Sequence, residues 1–193
     1  MFINRGITMF EIESFIEACI KARKEDNGHK AVKEVVERVI SEPASVLNTL
    51  GEPTRAGVFK LYNTDKLTIL NLVWGPQMML MPHNHSMWAV IGIYTGREDN
   101  IFWRKIKNDP NGRIEAAGAK ALSVGETAPF GKDVIHSVTN PIPRLTAALH
   151  VYGGDFFGAH RSEWEPEHLT EQTYDVDKNM GLFEKSNTYL NAV

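Results

Sequence analysis

The sequence predicts an all-β domain, an antiparallel barrel or jelly roll, carrying an α-helical N-terminal extension. Three observations predict it. From Thr8 to about Leu50 the apolar residues recur at helical spacing. After Pro53 the chain breaks into short runs rich in β-branched and aromatic residues, separated by turn formers at nearly even intervals. Strands do not alternate with long helices, as a doubly wound parallel sheet would require.

The first helix opens at Thr8-Met9-Phe10-Glu11, which has the form of a capping box, and Phe15, Ile16, Cys19 and Ile20 then share one stripe. Asp26-Asn27-Gly28 breaks it. A second helix begins near His29, with Val32, Val35, Val36, Val39 and Ile40 on one face, and Pro43 stops it. Ala44 to Leu50 adds a short helical turn. Six strands follow: Val58 to Tyr62, Leu67 to Trp74, Trp88 to Tyr94, Asn100 to Lys107, Lys120 to Val124 and Leu145 to Tyr152. Turns at Asn63-Thr64-Asp65, Gly75-Pro76, Thr95-Gly96, Asn108 to Gly112, Gly125 and Pro141 to Pro143 separate them. Beyond Gly158 the chain turns polar and reads as a wrapping or loosely ordered tail. The organisation expected is residues 1–52 as a helical extension packed on the barrel, and residues 53–193 as the barrel with its tail.

Composition narrows the function classes. The 193 residues are 42% hydrophobic and 23% charged, ordinary values for a globular chain. Net charge is −3, so there is no basic excess to expect of a nucleic-acid binder and no attraction to an anionic membrane. No apolar run approaches the ~20 residues of a spanning helix, and the first ten residues have no apolar signal core. Cys19 is the single cysteine, which excludes an intrachain disulfide framework and a cysteine-rich zinc site. The expected compartment is reducing and cytoplasmic.

Chemistry concentrates in the histidines of the β-rich half. In His83-Asn84-His85 the two imidazoles lie two residues apart, so in an extended segment both project from one face toward a single metal ion. His136 opens a strand after the Pro129-Phe130-Gly131 turn, as a third donor. Met78, Met79, Met81 and Met87 crowd the first pair, either as gap fillers or as the wall of an apolar pocket. Trp74 and Trp88 read as barrel core. His160 and His168 sit in the polar tail and receive no role.

The segment from Gly75 through His83-Asn84-His85 to Gly96 resembles the first cupin motif. Pro129-Phe130-Gly131 with His136 and Asn140 resembles the second. The resemblance covers roughly Leu67 to Tyr152. It implies a cupin double-stranded β-helix, a jelly-roll barrel holding a metal inside. Most cupins add a glutamate ligand four or five residues after the HxH, where this chain has Ala89 and Val90; Glu98 lies beyond the turn at Gly96. The set left is His83, His85 and His136, which within the cupins is similar to that of the thiol dioxygenases, the cysteine and mercaptopropionate dioxygenases.

Leu149-His150-Val151-Tyr152-Gly153-Gly154 resembles the strand bearing that family's Ser-His-Tyr relay, with Ala148 at the serine position. Arg161 stands nine residues after Tyr152, where mercaptopropionate dioxygenases carry the arginine that holds the substrate carboxylate. Cysteine dioxygenase places its arginine on an early strand, where this chain offers only Lys60. The cysteine–tyrosine crosslink of mammalian cysteine dioxygenase is excluded, since Cys19 lies in the first helix. The resemblance implies Fe(II) at His83, His85 and His136, Tyr152 and His150 as catalytic residues, and Arg161 as substrate-binding. The substrates implied are a small carboxylate-bearing thiol and O2, yielding the sulfinic acid. Two alternatives stay open: a metal-dependent cupin isomerase or hydrolase using Zn or Ni, and a non-enzymatic small-molecule-binding cupin; Ni, Zn and Mn are the alternative metals. The oligomeric state is left open.

Overall fold

The computed structural model describes residues 9–190. Three helices lead the chain: α1 (Ile12–Glu25), α2 (Lys30–Ile40) and α3 (Pro43–Leu50). Thr8 of the expected capping box lies outside the described residues. The helix starts later than expected, with Glu11 as its N-cap and no side-chain cap bond. Pro43 opens α3 rather than merely closing α2, because the first helical position needs no N–H and suits proline's fixed φ.

Eleven strands follow among the described residues. One sheet has the order β1 (Gly57–Asn63), β2 (Thr68–Trp74), β9 (Thr146–Tyr152), β4 (Ala89–Thr95) and β7 (Thr127–Phe130). The other has β11 (Glu171–Thr173), β10 (Ser162–Trp164), β3 (Met79–Asn84), β8 (Ile135–Thr139), β5 (Arg97–Lys105) and β6 (Ile114–Ser123). Each of these pairings is antiparallel. The chain changes sheet at every step from β2 to β5 and again at every step from β6 to β10, which wraps it into a double-stranded β-helix, the jelly roll expected.

The first sheet is covered on both faces. Leu70, Leu72, Trp74, Ala89, Ile91, Ile93, Ala148 and Tyr152 point into the barrel. Their neighbours Ile69, Val73, Val90, Ala147, Leu149 and Val151 pack against Phe15, Cys19, Val32, Val36 and Ile40 of the helices. Double coverage explains why β2, β4 and β9 read as nearly continuous apolar runs. Gly92 lies directly beneath α2. A Cβ there would lie 2.5 Å from Ile40 Cγ1 and 2.6 Å from Val36 Cγ1. At the far end of the barrel, buried Asn140 donates to the carbonyls of Gly75 (2.7 Å) and Arg144 (2.8 Å), tying the proline-rich turn to β2.

The tail departs from expectation. It forms β10, β11 and a fifteen-residue helix, α4 (Val176–Leu190), which lies against the barrel. Phe183 stacks on Trp74 with ring centroids 5.3 Å apart, and Asn187 exchanges two hydrogen bonds with the backbone of Ala56. Strands β3, β7, β10 and β11 were also not expected, and β6 is twice its expected length. Pro82 inside β3 argues against a strand by composition, and the central residues of β6 are exposed, so no apolar alternation marks them.

Gly92→Ala should destabilise the protein by about 1–3 kcal/mol, the usual cost of overfilling a packed contact. Denaturant unfolding checks this. An unchanged midpoint would mean that α2 is not held at the spacing described.

Candidate metal centre

The two histidine motifs meet because β3 and β8 are neighbours. His83 pairs directly with His136 across the ladder, and His85 follows two residues after His83 on the same side. All three are buried, and one ring nitrogen from each lies within 4.8 Å of the others. Ring centroids are 4.6 to 5.1 Å apart. Each imidazole is held below its ordinary pKa. Burial, and secondarily the Arg161 charge, brings His83 down to about 4. Burial and the neighbouring imidazoles hold His85 well below the usual value, and burial followed by His83 does the same for His136. At neutral pH the cluster is therefore uncharged.

Hydrogen bonds decide which way the lone pairs face. Glu98 Oε1 accepts from Asn100 Nδ2 at 3.0 Å, so the amide oxygen of Asn100 is the atom turned to His136 Nδ1, 2.7 Å away. An oxygen there requires the proton on Nδ1, which leaves Nε2 of His136 bare. His83 Nδ1 donates to the Met81 carbonyl at 2.9 Å, leaving its Nε2 bare in the same way. The Nε2 atoms of His85 and His136 are 3.3 Å apart. Bare imidazole nitrogens converging in a buried space are what a divalent metal requires, with the outer nitrogens held by an amide and a backbone carbonyl. The donor set fits such an ion.

The centre opens on a pocket of about 360 Å3, mouth included, lined by the three histidines with Leu72, Trp74, Leu80, Val138, His150, Tyr152, Phe156, Tyr174, Met180 and Phe183 among others. The methionines expected around the HxH do not form its wall. Met78 and Met87 fill the core, Met79 is exposed, and Met180 of α4 takes the lining position. His150 and Tyr152 project inward from β9, and the imidazole Nδ1 lies 3.0 Å from the tyrosine hydroxyl. The Tyr152 ring contacts His85 edge-on at 5.0 Å, and burial raises its pKa, keeping the phenol protonated.

Arg161 is buried at the pocket side between two rings, its guanidinium carbon 4.1 Å from the Phe156 centroid and 4.2 Å from that of Tyr174. Its Nε and Nη1 are buried and bond to nothing among the described residues. The acids that could have paired with it are engaged elsewhere. Glu163 takes Lys178 at 2.9 Å, and Glu165 caps the turn at His168. Lys60 is exposed on β1.

Glu98, beyond the turn at Gly96, is not expected from the sequence to be a ligand. It is not among the grouped donors, yet it is fully buried. Its Oε2 accepts from Trp74 Nε1 at 2.8 Å and lies 3.6 Å from His150 Nε2. Ala148, at the serine position of the relay, is buried and offers no polar side-chain atom. A second grouping, Glu165, Glu167 and His168, is largely exposed and is occupied with its own turn.

No family model matches the chain. Among solved structures it is similar to an RmlC-like cupin with a double-stranded β-helix fold from Methanocaldococcus jannaschii, at 15% identity over 55% of this chain and 86% of that one (TM-score 0.44). It is also similar to a DMSP lyase from Ruegeria pomeroyi, at 17% identity over 58% and 53% (TM-score 0.44). A third likeness is to a double-stranded β-helix protein from Klebsiella pneumoniae, at 12% identity over 62% and 94% (TM-score 0.42). The chain thus spans about half the length of the lyase. Likenesses at these identities do not speak to the reaction. No helix among the described residues is long and apolar enough to cross a membrane.

Two outcomes follow from the centre. With His83 near 4 when folded and near 6.5 when unfolded, the unfolded chain binds more protons as pH falls. The metal-free protein should therefore lose stability between pH 6.5 and 4, by on the order of a few kcal/mol. Denaturation midpoints across that range measure it, and a flat profile would mean that the cluster is solvated. His136→Ala should remove most bound metal, because two imidazoles make a poor site. Full occupancy in that variant, by elemental analysis, would exclude His136 as a ligand.

Proposed function

We propose that the protein is a non-haem iron thiol dioxygenase, converting a small carboxylate-bearing thiol to its sulfinic acid: RSH + O2 → RSO2H. The observation that carries this reading is one pocket holding a three-histidine donor set without a carboxylate ligand, beside a buried guanidinium that has no anion of its own. Within a cupin barrel that combination resembles the thiol dioxygenases more than the carboxylate-containing sites. Three neutral donors leave about half an octahedral shell open. Ferrous iron held by His83, His85 and His136 would supply the affinity for thiolate sulfur and the one-electron chemistry of dioxygen that side chains lack.

The chain's own residues do the rest. Arg161, desolvated and stacked between Phe156 and Tyr174, offers Nε–H and Nη1–H to a carboxylate, where two charge-assisted bonds fix both position and orientation. The buried arginine charge without a counter-ion favours binding an anion, since the substrate removes an electrostatic cost present in the free protein. Tyr152, held by His150, presents its hydroxyl to the pocket beside His85. Leu72, Leu80, Val138 and Phe183 exclude water, which strengthens both interactions.

Oxygen-electrode measurements on iron-loaded protein test this, with mercaptopropionate expected ahead of cysteine and cysteamine poorest. One O2 should disappear per sulfinate formed. Absence of thiol-dependent uptake at full iron occupancy would reject the reading, and turnover only with Zn, Ni or Mn would favour Lewis-acid chemistry. Arg161→Ala should lower kcat/KM for mercaptopropionate by roughly 10- to 150-fold, the equivalent of losing about 1.5–3 kcal/mol. Cysteamine, with no carboxylate, should hardly change. Equal losses for both would give Arg161 a general structural role. Tyr152→Phe should keep the fold and lower turnover by roughly 10- to 1000-fold.

A further inference from the structure

Glu98 lies on β5, the strand neighbouring β8, and is neither a metal-ligand candidate nor itself part of the pocket lining, yet three side-chain nitrogens converge on it from behind that lining. Trp74 Nε1 is 2.8 Å from Oε2, Asn100 Nδ2 is 3.0 Å from Oε1, and His150 Nε2 is 3.6 Å from Oε2. The last distance is too long for a good hydrogen bond, but His150 Nε2 is buried and has no other partner among the described residues. Burial opposes the charge on Glu98, and its contacts with His150, Asn100 and Trp74 outweigh burial and keep the carboxyl below its ordinary pKa.

We propose that Glu98 is the positioning residue of the site, fixing through Asn100 the tautomer of His136 and through direct contact the tautomer of His150. It rests on the reading of the three histidines as a metal centre and of Tyr152 as the group facing the thiol. A carboxylate is an acceptor only. Toward Asn100 it forces the amide nitrogen inward and the amide oxygen onto His136 Nδ1–H, which aims the bare Nε2 at the metal position. Toward His150 it favours Nε2–H, which leaves Nδ1 bare and draws the Tyr152 O–H onto it. The lone pairs of the Tyr152 oxygen are then left for a donor in the pocket, such as a thiol S–H. One buried charge thus sets the polarity of both halves of the site. It occupies the outer end of the His150–Tyr152 pair, where Ala148 offers nothing.

The test exploits the number of donors. A neutral amide at position 98 cannot accept from all three groups, because half of it donates. Glu98→Gln must therefore reverse one branch. With its oxygen toward Trp74 and His150, its NH2 meets Asn100, which flips and places a proton on His136 Nε2. With the amide turned over, Trp74 is orphaned and His150 switches to Nδ1–H. Nitrogen-15 chemical shifts of the histidine rings in the metal-free protein read both tautomers directly. In the wild type we expect Nδ1–H for His136 and Nε2–H for His150, with at least one reversed in Glu98→Gln. Competition of Fe(II) against a chelator should show metal affinity reduced roughly 10- to 100-fold if the His136 branch reverses. The double variant Glu98→Gln/Asn100→Asp moves the carboxylate along the network and makes every donor face an acceptor again, so it should recover the wild-type tautomers.

Wild-type His150 carrying its proton on Nδ1 would overturn the proposal, as would a folded Glu98→Gln protein with both tautomers unchanged. If Glu98→Gln does not fold, the wild-type shifts and the double variant still decide. None of these readings uses thiol turnover. A protein with the expected tautomers but no thiol-dependent oxygen uptake refutes the proposed function and leaves the role of Glu98 standing.

Discussion

The site depends on one strand being buried on both of its faces. Along β9, Ala147, Leu149 and Val151 enter the interface with the helices, while Ala148, His150 and Tyr152 enter the barrel. A slip of one residue would drive an imidazole and a phenol into an apolar helix interface and turn Leu149 and Val151 into the pocket. Burying those polar groups without partners costs several kcal/mol, so register here is specified far more strongly than in a sheet with one wet face. The N-terminal helices therefore do more than cover apolar surface. By making the outer face as demanding as the inner one, they fix where the catalytic candidates point.

The interior also sets the charge state of the site. Three imidazoles in close contact would repel one another if protonated, and burial removes the water that would relieve it, so they stay neutral and keep lone pairs for a metal. The same burial works against the charge of Arg161, whose Nε and Nη1 find no partner among the described residues. Neutral donors on one side and a cation without an internal partner on the other would, in the reading proposed, favour an anionic ligand before any shape is considered.

Much of this was legible in the sequence, for identifiable reasons. The period of two in His83-Asn84-His85 and the matching parity of His150 and Tyr152 survive folding, because strands preserve alternation. The helical stripes of Val32, Val36 and Ile40 likewise found the sheet they were shaped for. What escaped has equally physical causes. Pro82 hid β3, although the strand still pairs with β8 on either side of a register shift between Leu80 and His83. Helix α4 is mostly polar and touches the barrel through few residues, chiefly Phe183 and Met180, so its apolar signal is weak. Glu98 escaped because β5 was expected to begin at Asn100. Starting it at Arg97 puts Glu98, Asn100 and Phe102 on the inward face, with Asp99 and Ile101 outward, and marks a buried acid in a strand as a residue to explain.

The stacking of Arg161 between Phe156 and Tyr174 has a consequence for the shape of what it can hold. With the Phe156 and Tyr174 ring centroids 4.1 and 4.2 Å from the guanidinium carbon, aromatic surface closes off much of the group, and a ligand would have to reach the edge left free. A flat anion at that edge would meet both free N–H groups at once, whereas a tetrahedral one, even when bidentate, would also have to fit its remaining substituents beside the rings. If Arg161 holds the substrate as proposed, any discrimination between a carboxylate and a sulfonate or phosphate of similar charge would rest on the two rings rather than on the arginine, which binds both kinds of anion.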